Sequence, residues 1–158
     1  MLLVATVQGV ADGLPLNPIA RWEWVFPIVE SLHLCGLTLL VGSVTIINFR
    51  LLGICLRGQR VSQVARDLAP FIWAGIAIQL TTGPYLFSGD PGEYLQVAAF
   101  RYKMLLLILA LVFQLTVMVR ATAEKWDVST VGWRKAAAVA SMTLWVSVLL
   151  GGLWIGNL

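Results

Sequence analysis

The chain has 158 residues, of which 59% are apolar and only 12% charged. That composition cannot cover a soluble domain of this size with polar surface, and what lies outside four long apolar stretches is too little for a separate soluble domain. The net charge of +3 does not point to nucleic acid, because the basic residues follow the pattern of membrane topology.

Residues 2–11 lack the basic stretch that opens a signal peptide and are too few to cross a bilayer. They read as a short interfacial segment lying on the membrane, and Gly13, Pro15 and Pro18 break the chain after it. A crossing helix needs roughly 20 mostly apolar residues. The first such stretch runs from about Trp24 to Phe49, the second from Leu68 to Phe87, the third from Phe100 to Val119 and the fourth from Trp133 to Ile155. Arg50, Arg57, Arg60 and Arg66 follow the first span, and Arg120, Lys125, Arg134 and Lys135 follow the third. The opposite side holds Arg21, Arg101 and Lys103 against Asp12, Glu23, Glu30, Asp90 and Glu93. The positive-inside rule then places both basic loops in the cytoplasm and both termini outside. Trp22, Trp24, Trp154, Tyr94 and Tyr102 mark the outer interface, and Trp126 and Trp133 the inner one.

Short loops make consecutive helices antiparallel neighbours, so the expected fold is all-α, a polytopic up-down four-helix transmembrane bundle forming one domain. In the fourth span Ala136, Ala140, Thr143, Ser147 and Gly151 share one stripe, and small residues let helix backbones approach closely. In the first span Cys35, Thr38, Gly42 and Thr45 form a similar face. Neither Cys35 nor Cys55 belongs to a CxxC motif. Twenty helical positions would hold them about 30 Å apart, so both read as small buried packing residues rather than a disulfide.

The opposite face of the first span carries Phe26, Val29, Glu30, His33, Leu37, Leu40 and Val44. His33 is the only histidine of the chain, and an ionisable group at membrane depth is a functional candidate by default. Glu30 and His33 have the E-x-x-H spacing of di-iron bundles, but those need a second pair and more carboxylates. Three or four ligands for copper or zinc do not converge either. Gly36, one turn after His33, leaves a gap that suits a flat cofactor or a close helix contact. In the third span Lys103, Ala110 and Gln114 share a face. Arg101 reads as a snorkelling anchor, while Lys103 reads equally as an anchor or as a group facing the bundle near Glu30. The second span ends in Gln79, Thr81, Thr82, Gly83, Pro84 and Tyr85, where Gly83-Pro84 is expected to kink or end the helix.

Together these residues suggest an outward-facing pocket within the membrane. A b-type haem would match the order: His33 on the iron, Glu30 and Gly36 beside it, Lys103 and Arg101 paired with the propionates. One histidine supplies one axial ligand, so the second would be Met104, a symmetry-related His33, another subunit or nothing. The plain structural reading of His33 is a hydrogen-bonded helix contact, with Glu30 or a hydroxyl as its partner.

The run from Trp24 through Pro27, Glu30, His33 and Gly36 to Gly42, followed by Phe49-Arg50-Leu-Leu-Gly53, resembles a bacterial four-span membrane family of unknown function. A histidine early in the first span and a lysine opening the third also resemble, more distantly, the copper-resistance D-type proteins and the J-type protoporphyrinogen oxidases of membranes. That resemblance implies a haem-associated membrane protein with His33 and Lys103 at the matching positions. The expected location is the bacterial inner membrane, where the positive-inside rule makes both termini periplasmic. Three functions stand open: a haem-binding or redox-associated subunit, a non-catalytic anchor or assembly subunit in a homo-oligomer or larger membrane complex, and a small-solute carrier.

Overall fold

The computed structural model describes residues 24–89, 91–123 and 131–155. The expectations for residues 2–11, and for Asp12, Arg21, Trp22, Glu23, Asp90, Lys125 and Trp126, fall outside the described residues. All regular structure among the described residues is helical. Helix α1 is Val25–Leu52, α2 is Val61–Phe87 and α3 is the short Pro91–Gln96. Helix α4 runs over Ala98–Phe113, widens into a π turn at Gln114–Met118 and closes with Val119–Ala121. Helix α5 is Val131–Ile155.

Among the described residues three helices are long and apolar enough to cross a membrane: Val25–Leu52, Ala98–Ala121 and Val131–Leu153. Helix α2 is equally long, but Pro70, Gln79, Thr81, Thr82 and Pro84 make it more polar. It departs from expectation at both ends. It begins at Val61 rather than near Leu68, so Arg66 and Asp67 are helical. It also continues through Gly83-Pro84 to Phe87 instead of breaking there. The hydroxyls of Thr81 and Thr82 bond the Ala77 and Ile78 carbonyls one turn back, which keeps this proline-bearing stretch tied to its own helix.

The chain leaves α1 at Gly53, whose φ of 78° lies in the left-handed region that glycine enters without strain. The Arg50 guanidinium then donates to the carbonyls of Gln59 and Arg57, and Arg57 donates to that of Gly53. Part of this loop's positive charge therefore holds the loop's own backbone.

The long helices pack antiparallel, most extensively α1 on α2, then α4 on α5 and α1 on α5. Two apolar clusters fill the interior. Leu40, Val44, Ile76, Ala110, Trp145 and Val148 form one. Nearer the Arg50 end, Ile47, Leu51, Val61, Val64, Met118, Ala121, Ala137 and Ala138 form the other. At the opposite end Phe87, Tyr94 and Phe100 gather, with Phe87 and Phe100 stacked at 5.5 Å between centroids. Rings at this spacing attract beyond simple area burial, so they join the ends of α2 and α4 through α3.

The α1–α2 crossing is set by glycine. A Cβ on Gly75 would lie 2.8 Å from the Gly36 carbonyl oxygen and 2.9 Å from the Leu40 nitrogen, and one on Gly36 would lie 2.5 Å from Ile78 Cγ2. The gap at Gly36 is thus taken up by α2, the close-contact use of the two expected for it.

The faces assigned to small residues mostly turn the other way; Gly151, at the end of the fourth-span stripe, is the exception and packs against Lys103. Cys35, Thr38 and Gly42 are exposed on α1, whereas Gly36, Leu40, Ser43, Val44, Ile47, Asn48 and Leu51 are buried. On α5, Ala136, Ala140 and Thr143 are exposed, and the packed stripe is Arg134, Ala137, Ala138, Ser141, Trp145 and Val148. Cys35 is exposed and Cys55 partly so, both as free thiols, which corrects their reading as buried packing residues. The exposed hydroxyls need no partner helix, because Thr38, Thr143 and Ser147 each bond a carbonyl one turn back on their own helix.

Candidate functional site

His33 sits on the side of α1 that meets α2, and the crossing fixes its surroundings. Its Nδ1 lies 2.7 Å from Thr82 Oγ1. The Thr82 hydroxyl has one proton, and it goes to the Ile78 carbonyl at 2.6 Å. What remains on Thr82 is acceptor capacity, so Nδ1–H of His33 is the donor. This places the ring proton on Nδ1 and leaves Nε2 with its lone pair. Among the described residues Nε2 has no hydrogen-bond partner. Gly83 backs the ring, since a Cβ there would stand 3.7 Å from Cε1. One turn below, the Gln79 side-chain amide donates to the His33 backbone carbonyl at 2.9 Å. Two interhelical bonds therefore converge on one residue of α1.

Lys103 approaches from the other helix pair. Its stem lies along the Gly151-Gly152 pair of α5: a Cβ on Gly151 would stand 3.4 Å from Lys103 Cβ, and one on Gly152 would stand 3.5 Å from Nζ. The two glycines form a groove for the aliphatic part, and the ammonium lies within electrostatic reach of the His33 ring. No hydrogen bond to Nζ occurs among the described residues. An alanine at 152 fits this geometry, but the branches of a valine compete with the lysine stem for the same space. In detergent-solubilised protein, where both ends are open to solvent, we expect Gly152→Val to raise labelling of Lys103 by a water-soluble amine reagent several-fold, with Gly152→Ala at the wild-type level. Mass spectrometry of the peptide carrying Lys103 reads the result, with Lys135 as internal reference.

The remaining candidates are dispersed. Glu30 is exposed and makes no hydrogen bond to His33; the ring's partner is the Thr82 hydroxyl. Arg101 is exposed, two positions before Lys103 and on a different face. Gly36 lies under Ile78, which takes up the space over it. Met104 is 39% exposed on the outside of α4. The Tyr85 hydroxyl, one turn from Thr82 on α2, is a buried polar atom without a hydrogen-bond partner. In the sequence it was one polar residue among several in a stretch expected to break. No group of three or more His, Cys, Asp or Glu side chains is placed to hold a metal ion among the described residues.

On the far side of the Leu40–Val148 cluster, α1, α4 and α5 bury Asn48, Gln114, Ser141 and Arg134. About 22 Å of helix at 1.5 Å per residue separates His33 from Asn48, and the apolar cluster fills the interior between them. Among the described residues the one buried polar side chain on α1 between the two regions is Ser43.

Long apolar helices carrying an imidazole on their packed side make this a small, multi-pass, helical membrane protein. Residues 25–158 match the model of a family of unknown function, DUF6644, and the chain belongs to that family. No curated protein and no solved structure matches it.

Proposed function

We propose that the protein is a ligand-binding membrane subunit whose site is His33 Nε2, with a b-type haem as the ligand. The observation that carries this reading is the chain from His33 Nδ1–H to Thr82 Oγ1–H to the Ile78 carbonyl. It holds the imidazole in one tautomer and one orientation, the preparation that metal-binding histidines receive from the group behind them. The orphaned Tyr85 hydroxyl and the unpaired Lys103 ammonium suit a ligand that accepts hydrogen bonds and carries negative charge. Gly36 takes no part, so a macrocycle would stand on the side of the ring turned away from α2. Bound there, the group would supply one-electron redox chemistry. The chain's part is to offer one axial nitrogen, to keep the ring from turning, and to neutralise a propionate with Lys103. Helix α2 completes a four-span bundle in this reading. The concentration of Arg50, Arg57, Arg60, Arg66, Arg120 and Lys135 at the other end supports a cytoplasmic side there, with the His33 end outside.

The test is a visible spectrum of the protein purified in mild detergent after haem supplementation. We expect a Soret band in the wild type and none in His33→Ala. A wild type without the band, or a variant that keeps it, rejects the haem reading.

A second reading has its own observation. The His33–Thr82 and Gln79–His33 bonds flank a glycine crossing and clamp α1 to α2, which fits an anchor or assembly subunit without a cofactor. On that reading His33→Ala lowers thermal stability, no chromophore is present, and a protein partner co-purifies. The apolar cluster between the two polar regions speaks against a solute path through one chain.

A further inference from the structure

Between the two apolar clusters lies a polar layer. Val44, Ala110 and Trp145 belong to one cluster, and Ile47, Met118 and Ala138 to the other. Asn48, Gln114 and Ser141 each fall within about a turn of both, on α1, α4 and α5. Asn48 is 0% exposed, Ser141 1% and Gln114 8%. Asn48 Nδ2 donates to Ser141 Oγ at 3.1 Å. Asn48 Oδ1 and Gln114 Oε1 are buried without a hydrogen-bond partner. Two amide oxygens removed from water with nothing donating to them cost free energy until a donor arrives. Gln114 also opens the π turn of α4, and such turns collect at functional positions.

We propose that this layer holds one internal water molecule, which donates to Asn48 Oδ1 and Gln114 Oε1. Charge decides between water and a metal cation. The buried ionisable side chain nearest in sequence on α5 is Arg134, two turns from Ser141, and it is positive. No group of carboxylates gathers among the described residues to offset a cation, and a hard cation needs about six oxygens. A neutral molecule with two protons needs only the two acceptors present, within the usual two to four partners of a buried water. The water then joins α1 to α4, two helices that otherwise share little contact, at the turn where α4 departs from α-helical geometry.

The experiment needs no variant in its first arm. In detergent-solubilised wild type, NMR transfer from water to the side-chain NH2 groups of Asn48 and Gln114 is expected, and it identifies a resident water. The second arm is a thermal double-mutant cycle with Asn48→Leu and Gln114→Leu. Each single change is expected to lower the melting temperature by roughly 2–4 °C. The double variant is expected to melt no lower than the worse single one, because removing both acceptors dismisses the water. Additive losses overturn the proposal. Coupling without transfer from water overturns it too, since the two amides would then pair directly. Transfer abolished by added sodium or potassium ions would replace the water with a cation and reject the charge argument.

Discussion

Gly75→Leu will leave little folded protein. The position has no room for a side chain: its first carbon would stand 2.8 Å from the Gly36 carbonyl oxygen and from Leu40 Cβ, and 2.9 Å from the Leu40 nitrogen. Two of those three atoms are backbone, so no rotamer change relieves the contact, and α2 must move off α1. Overpacking by even one methyl in a tight interior costs about 1–3 kcal/mol; leucine adds three more carbons to the same wedge. The crossing also carries the His33–Thr82 and Gln79–His33 bonds, which separate with it. Gly42→Leu is the matched control, because a Cβ there meets nothing within 4 Å. Size-exclusion yield and melting temperature in detergent are the readouts. Gly75→Ala should melt clearly below wild type and Gly75→Leu should elute as aggregate, while Gly42→Leu behaves as wild type. If the two leucine variants were indistinguishable, the close crossing would not exist.

The long apolar helices α1, α4 and α5 were legible because membrane spans are read by length and hydropathy, and both survive in the sequence without tertiary help. Their orientation about their own axes was not. On a lipid-exposed helix the packed and outward sides are both apolar, so periodicity says little about which side is which. Small residues on Cys35–Thr38–Gly42 and Ala136–Ala140–Thr143 therefore looked like packing stripes, although they face outward, with the Thr38 and Thr143 hydroxyls bonded within their own helices. Polar residues were better guides. Lys103, Ala110 and Gln114 share a face, and the structure turns that face toward α5 and the interior. His33 was legible as a candidate, and a hydroxyl was one of its two expected partners. That the hydroxyl belongs to Thr82 was not, because it depends on how deeply α2 rides over Gly36. The start of α2 was hidden by Arg66 and Asp67, which cannot count toward an apolar span yet continue the helix toward its Arg60 cap.

The same crossing that clamps α1 to α2 prepares the imidazole, so the two readings of His33 share their geometry and differ only in what meets Nε2. Thr82 separates them. In Thr82→Val the acceptor behind Nδ1 is gone, a near-isosteric methyl stands in its place, and the ring loses both its fixed tautomer and its orientation. Removing the group behind a metal-binding histidine typically weakens binding about 10–100-fold, so we expect haem retention in Thr82→Val to fall by that factor. Thr82→Ser keeps the oxygen and its back-bond to the Ile78 carbonyl, and is expected to retain haem within a few-fold of wild type. Titration of the apoprotein with haem, followed at the Soret band, gives all three affinities, and the melting temperature of each apoprotein is measured alongside. A purely structural clamp predicts a different pattern. Thr82→Val then melts lower, as the loss of one interhelical bond requires, at about 0.6 kcal/mol on average in membrane helices, and haem titrates all three proteins alike. Equal affinities for the valine and serine variants would therefore leave the His33–Thr82 bond its mechanical role and remove the argument that the ring is prepared for a metal.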